Sequence, residues 1–319
     1  MSSNENPYKP SKKVMDAAIK GLENLNRYVD KKDVNMLKKT LGEYNDVSSE
    51  RIVVGSGTNA LFKEIIYDFS KNRNIMTFNP SFMSSIDVAR YNARKIIKVQ
   101  LTPPDFEIDW ESLIIGPSLI VLDYPNNPTG KCLIKREDLI KLLKNKDCLI
   151  LIDEAYYEFS KRTFIDLIDD YPNLAISRTL DKAYSLAGLR ISYLIAGDVF
   201  LSRLRQYDSA ITCSACYAAI AAIKDKEHAF DHVKKIIAER DRLSLELKKI
   251  GFEVYESRTN FLLVKTSIDQ LALRLKKENI LIGDLSRNWL SGYYRISIGN
   301  HEENNCLMNA IKNILSSIK

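Results

Sequence analysis

Leu149-Ile150-Leu151-Ile152-Asp153-Glu154 is an unbroken apolar run that closes on two carboxylates. A strand with one face in water alternates polar and apolar residues, whereas a run without a polar side is covered on both faces, as in the mostly parallel sheets of α/β proteins. Similar runs recur at Leu119–Leu122 and Leu174–Ser177, with further strand-like segments at Arg51–Val54, Asn74–Phe78, Lys95–Val99 and Ile191–Ala196. Helical patterns separate most of them. This alternation predicts an α/β chain with a mostly parallel central sheet flanked by helices. Ligands of such open sheets gather at the carboxyl ends of the strands, which is where Asp153 and Glu154 stand. A charge at a nearly buried strand end is costly unless paired, and a protonated ring nitrogen is one group that would pair with it. A metal ion is the competing partner, but no histidine lies near the pair.

Helical spacing of apolar residues covers Asn35–Tyr44 and then the segment from Thr58 or Asn59 through Phe69. Past about Asp231 the character changes. HVKKIIAERDRLSLELKKI keeps a three-and-four apolar rhythm and ends at Gly251, a residue suited to closing a helix. Strand-like runs at Phe261–Val264 and Tyr294–Ile298 flank a helix around Leu271–Lys277, reading as a small α/β unit on which the N-terminal arm packs. We therefore expect a large domain over residues 29–230 and a smaller one built from 1–28 and 231–319.

A chain of 319 residues with 45% hydrophobic content can bury the cores of two domains. Its 47 lysines and arginines exceed 41 acidic residues by too little, and are too evenly mixed with them, to suggest nucleic-acid binding. No apolar run approaches a bilayer's thickness, and MSSNENPYKPSKK lacks the apolar core of a signal peptide, so no membrane partner and a cytoplasmic location are expected. The five cysteines fit reduced thiols. Cys213 and Cys216 form a CxxC without a second pair of ligands, and His228 and His232 lie in a run that reads as a solvated surface, so no metal is expected.

Gly55-Ser56-Gly57-Thr58-Asn59-Ala60 follows a strand and opens a helix, matching the GxGxx[GA] pattern of dinucleotide-binding proteins. That fingerprint also wants an acid at the end of the next strand. Here the strand ends in Asn79-Pro80-Ser81, so the loop argues for a phosphate held by helix N–H groups rather than for a dinucleotide. Asn126-Asn127-Pro128-Thr129-Gly130 lies at another carboxyl edge and, taken alone, is a turn. Lys182 follows the apolar strand and precedes the glycine-containing turn LAGLR. A lysine placed there is partly desolvated and can act as an amine nucleophile, although most such lysines are ordinary surface groups.

Taken in order, NENPYKPS, GSGTN, NNPTG, DEAYYEF and RTLDKAYSLAGLR resemble the class I/II family of fold-type I aminotransferases that use pyridoxal 5′-phosphate, over nearly the whole chain. Within it the resemblance is greatest to the histidinol-phosphate branch. It implies that Lys182 binds the cofactor aldehyde and moves the substrate proton, that Asp153 keeps the ring nitrogen protonated, and that Asn127 and Tyr156 bond the phenolic oxygen. It further implies that Phe82 stacks on the ring, and that Ser56, Gly57, Thr58, Thr179 and Arg190 hold the phosphate. Tyr28 would reach the phosphate in a neighbouring subunit, which makes a homodimer with shared active sites. Arg295, Asn6 and Arg287 would bind an amino donor and a 2-oxo acid acceptor.

Two positions depart from the pattern. Asp181 stands where the family has a serine that donates to the phosphate, so we expect it to turn away or to pair with Arg178 or Arg190. Gly283 stands about where the histidinol-phosphate branch presents an arginine, with Arg287 four residues on. The activity implied is transamination between histidinol phosphate and 2-oxoglutarate in histidine biosynthesis. A phosphothreonine decarboxylase-like lyase, an aromatic aminotransferase, a non-catalytic cofactor-binding protein and a dehydrogenase are the alternatives.

Overall fold

The computed structural model describes residues 1–82, 86–113, 115–204, 211–286 and 289–318. Seven strands make the larger sheet: β1 (Ile52–Gly55), β2 (Asn74–Asn79), β3 (Lys95–Gln100), β4 (Ser118–Asp123), β5 (Cys148–Asp153), β6 (Leu174–Thr179) and β7 (Ser192–Ala196). Their order is β1-β7-β6-β5-β4-β2-β3. The pairs from β3 to β6 are parallel, and only β7 runs against its neighbours β1 and β6. The α/β architecture expected from the apolar runs is therefore the one observed.

The lack of polar residues in β5 has a direct structural reason. Leu149 and Leu151 enter one apolar core with Val121, Leu61 and Phe62, while Ile150 and Ile152 enter the opposite core with Ile120 and Leu122. The strand's period of two delivers alternate side chains to layers on both sides of the sheet. On one side the helix Thr58–Phe69 buries Leu61, Phe62, Ile65, Ile66 and Phe69, the stripe its spacing predicts.

A second sheet orders β10 (Gly283–Asp284), β11 (Tyr293–Ser297), β9 (Phe261–Lys265) and β8 (Glu253–Val254), all antiparallel. The helix Lys226–Lys249 precedes it and starts earlier than the sequence rhythm indicates, and beyond its end Gly251 adopts a positive φ of 91°, as a closing glycine should. The run around His232 is not the solvated surface expected: His232 is buried and stacks on Tyr8 with ring centroids 4.7 Å apart. The N-terminal arm divides its contacts. Ser297 donates to the carbonyl of Met1 and Asn260 to that of Asn4, tying the first residues to the smaller sheet. The helix Lys12–Leu22 instead lies on the helix Cys213–Lys224, close enough that a Cβ on Gly21 would come within 2.4 Å of the Ser214 Cα.

Candidate active site

In-register pairing of parallel strands puts side chains of adjacent strands on the same face, and Asp123 of β4 pairs with Asp153 of β5, which pairs with Ser177 of β6. Both acids therefore meet at the carboxyl edge, in a cavity of about 250 Å³ lined also by Thr58, Phe82, Asn127, Tyr156, Thr179, Lys182, Arg190 and Arg295. Asp123 is held by the Ser81 hydroxyl at 2.8 Å and the Phe82 N–H at 3.1 Å. Asp153 accepts the N–H of Ala155 at 3.2 Å and lies beside the Ser177 hydroxyl, and no cation pairs with it among the described residues. Burial, with Asp123 alongside, pushes its carboxyl up to about 8.

Glu154, the next residue, goes the other way. It accepts from Arg178 Nη2 at 2.8 Å and Nε at 3.1 Å, from the Thr163 hydroxyl at 2.8 Å and from the Phe164 N–H at 3.0 Å. Arg178 in turn donates to Asn45 Oδ1 at 2.6 Å and lies over the Tyr157 ring. Burial raises the Glu154 carboxyl above its usual range while Arg178 pulls it down, and Glu154 in turn holds the Arg178 cation above its own ordinary range against burial. This arginine anchors the scaffold and does not reach Asp181.

Lys182 lies beyond the end of β6, and its Nζ donates to the carbonyl of Ser3 at 3.1 Å. Burial depresses its pKa; Asp181 opposes that, and Arg295 and Arg190 reinforce it. The amine is thus biased towards its neutral, nucleophilic form. Tyr156 accepts from Asn4 Nδ2 at 2.9 Å and from Asn127 Nδ2 at 3.4 Å, while Arg295 on β11 donates to Asn127 Oδ1 at 2.7 Å and to the Ser2 carbonyl. The smaller sheet thus contributes one cation to a cavity that the larger sheet otherwise builds.

At the opposite end Gly57 has φ +84°, and a Cβ there would sit 2.7 Å from Arg190 Nη2. Only glycine lets the guanidinium rest on this loop at the start of the helix Thr58–Phe69, where unpaired N–H groups gather. Thr58 and Ser192 hydroxyls meet at 3.1 Å, and Thr179 accepts the Asp181 N–H at 3.1 Å. Ser56 is exposed on the same turn. Asp181 pairs with Arg190, one of the two arginines its position suggested.

Asn6, Tyr28 and Arg287 are not among the described residues that line this cavity. Asn6 donates to the Ala183 carbonyl at 3.0 Å and faces an adjoining cavity, so Asn4 of the same NENP segment occupies the place expected for it. The turn folds back and buries the first asparagine against Ser297 and Tyr156. Tyr28 is 99% exposed and outside its own chain's cavity. Arg287 falls outside the described residues. Asp123 was missed because YPNNP draws attention past it, although an acid at an apolar strand end is the same signal that marks Asp153.

A sequence profile described as "Aminotransferase class I and II" matches residues 1–311. The chain belongs to the class I and II aminotransferase family. This aminotransferase is 33% identical to the histidinol-phosphate aminotransferase of Clostridium acetobutylicum over 99% of its own chain and 92% of that protein. It is 32% identical to the one from Sulfurisphaera tokodaii over 98% and 89% of the two chains. Its fold superposes on the crystal structure of the Clostridium acetobutylicum enzyme with a TM-score of 0.87 at 28% identity, covering 99% of this chain and 98% of that one. A histidinol-phosphate aminotransferase from Sinorhizobium meliloti, solved in complex with pyridoxal 5′-phosphate, shares the fold with a TM-score of 0.86 at 24% identity, over 100% and 90% of the two chains.

The family depends on pyridoxal 5′-phosphate, and the residues of this aminotransferase fit that group. Asp153 is a buried carboxyl lacking a cation, Lys182 a desolvated amine, and the Gly57 loop with Arg190 an anion cradle. When bound, the cofactor supplies an electron sink for the charge left on the substrate carbon after proton loss. Asp153 would face the ring nitrogen, Phe82 the ring, and Asn127 and Tyr156 the phenolic oxygen.

The lone carboxyl of Asp153 has a measurable consequence in cofactor-free protein. Held near 8 in the fold but ionising near 3.8 when unfolded, Asp153 binds more protons in the native state throughout that window. Its contribution to stability therefore falls as pH rises from about 4 to about 8. Cofactor-free Asp153→Asn should melt at or above wild type at pH 7.5 and show a flatter pH profile. Parallel melting curves from pH 5 to 8 would refute this, and with cofactor bound the wild type should regain the advantage.

Proposed function

We propose that this aminotransferase exchanges the amino group of L-histidinol phosphate with 2-oxoglutarate, a step of histidine biosynthesis carried out in the cytoplasm. The observation that carries the reading is Arg295, a half-buried arginine from β11 whose buried Nε has no hydrogen-bond partner and whose Nη1 holds Asn127 beside Tyr156. A desolvated arginine facing a reactive lysine across a small cavity is suited to grip the anionic end of a substrate, a phosphate ester or a carboxylate. Full-length similarity to proteins named histidinol-phosphate aminotransferase supports the choice of donor.

Lys182 acts at the substrate α-carbon. Its neutral amine would accept the proton from that carbon and hold it at Nζ, where burial keeps water from competing for it. Asp153 stays ionised opposite a ring cation, and Tyr156 and Asn127 hold the plane in which the proton moves. None of these roles requires a metal, and no group of three His, Cys, Asp or Glu suited to one occurs among the described residues.

Gly283 pairs with Arg295 across the β10–β11 ladder, so this position is beside the site and carries no side chain there. The donor's phosphate is then left to Arg295 and to groups beyond it, and phosphothreonine decarboxylation, whose substrate carries the same phosphate, is the second reading that an assay separates. Purified enzyme given histidinol phosphate and 2-oxoglutarate should form glutamate. Carbon dioxide from phosphothreonine, without glutamate from either donor, would select the lyase.

We further propose a homodimer and a division into domains at residues 29–230 and 1–28 with 231–319, the helix Lys12–Leu22 bridging from the second to the helix Cys213–Lys224 of the first. All strands of the larger sheet fall between residues 52 and 196 and all of the smaller between 253 and 297. Tyr28 and Leu25 are exposed by 99% and 79%, which suits an aromatic and an aliphatic anchor that a second chain covers. Sedimentation at the mass of a single chain would overturn the dimer. Among the described residues no helix is long and apolar enough to cross a membrane.

A further inference from the structure

Asp181 is an acid placed where the bound group carries its negative charge. Its side chain is 6% exposed, Oδ2 is bonded to Arg190 Nη1, and Oδ1 is buried with no hydrogen-bond partner. The same Arg190 rests on the Gly57 loop, and Asp181 lines the cavity with Thr58, Thr179 and Lys182. The Arg190 side chain is half exposed but that of Asp181 is buried, so a second anion brought to the same guanidinium leaves the buried carboxylate without a full partner and disfavours its ionised form. Expelling Asp181 from the site would need a new partner for a side chain already buried.

We propose that Asp181 takes up a proton from solvent when the cofactor phosphate enters, so that its unpartnered oxygen becomes an O–H donor to the phosphate and Arg190 is freed to bind the same anion. In the empty protein the carboxylate holds the guanidinium in place. In the loaded protein the carboxylic acid supplies the hydrogen bond that a serine hydroxyl would supply at this position.

The surroundings support uptake. Burial raises the Asp181 carboxyl above its usual range, although Arg190 first and Lys182 second pull it down, as do the Thr179 hydroxyl and the Ile191 N–H. Of these opposing groups, Arg190 is the one the phosphate engages. On its other side Asp181 adjoins a cavity lined by Glu5 and the Met1 amine from the N-terminal arm and by Glu303 from the helix His301–Ile318.

The inference rests on the cofactor and not on the substrate. Its test uses pyridoxine 5′-phosphate, which lacks the aldehyde and so leaves Lys182 chemically untouched. Calorimetric titration at pH 7.5 in buffers of different ionisation enthalpy should give about one more proton taken up by wild type than by Asp181→Asn. Over the range in which Asp181 is ionised in the free protein, wild-type affinity relative to the asparagine variant should fall about tenfold per pH unit. Asp181→Ser should behave like Asp181→Asn and serves if the asparagine variant fails to fold. Equal proton counts in wild type and variant, or an affinity ratio that is constant from pH 6 to 9, overturns the proposal. A failure to turn over histidinol phosphate would leave these binding measurements unaffected.

Discussion

Lys182→Ala loses transamination altogether, with residual turnover at least about 10⁴-fold below wild type, because the proton transfer and the covalent hold on the cofactor depend on one amine. Arg190 and Arg295 are the other cations that line the cavity, and a guanidinium is no substitute for an amine nucleophile. Cofactor should still bind, since Asp153, Tyr156, Asn127 and the Gly57 loop are untouched, but borohydride treatment should leave no covalent label on the polypeptide. Steady-state assay and mass spectrometry check both halves. Turnover within tenfold of wild type would remove Lys182 from the chemistry.

Arg178→Met is expected to have the largest effect on folding. It strips Glu154, 0% exposed at its side chain, of both its guanidinium bonds. Removing one partner of a buried ion pair typically costs about 3–5 kcal/mol, because the remaining charge is left desolvated. That corresponds to a melting temperature lower by on the order of ten degrees for a chain of this size. A companion Glu154→Leu in the same protein should recover much of the loss, which separates a stranded charge from lost packing. Chemical denaturation of the two single variants and the double checks this; a double variant less stable than Arg178→Met would contradict it.

The sequence reveals the larger sheet well because its strands are buried on both faces, so β4 and β5 are apolar from Leu119 to Leu122 and from Leu149 to Ile152 and β6 opens on Leu174-Ala175-Ile176. It reveals the two-residue strands β8 and β10 not at all, since a pattern of period two needs more length than they have. The ligand edge is legible in Asp153 and Glu154, but residue type cannot say which of two neighbouring acids faces the cavity. That is decided by the location of Arg178, which the parallel β5–β6 register brings to Glu154 from a distant part of the chain. Asn4 and Asn6 present a similar choice. A turn that buries Asn4 at 1% exposure, with φ +53°, makes it the one that meets Tyr156, and this folding back depends on Ser297 and Asn260, some 250 residues or more away.

Because β5 delivers Asp153 and Glu154 to opposite sides, reactivity and architecture are fastened to adjacent positions of one extended segment. Exchanging the two residues would preserve composition, net charge and hydrophobic pattern, yet it would shorten the tether to Arg178 and lengthen the arm that meets the heterocycle. A one-residue insertion upstream would turn both carboxylates around together. The segment is therefore intolerant of length change in a way that its bland aliphatic lettering conceals, and evolutionary tinkering with this enzyme must proceed in the loops on either side.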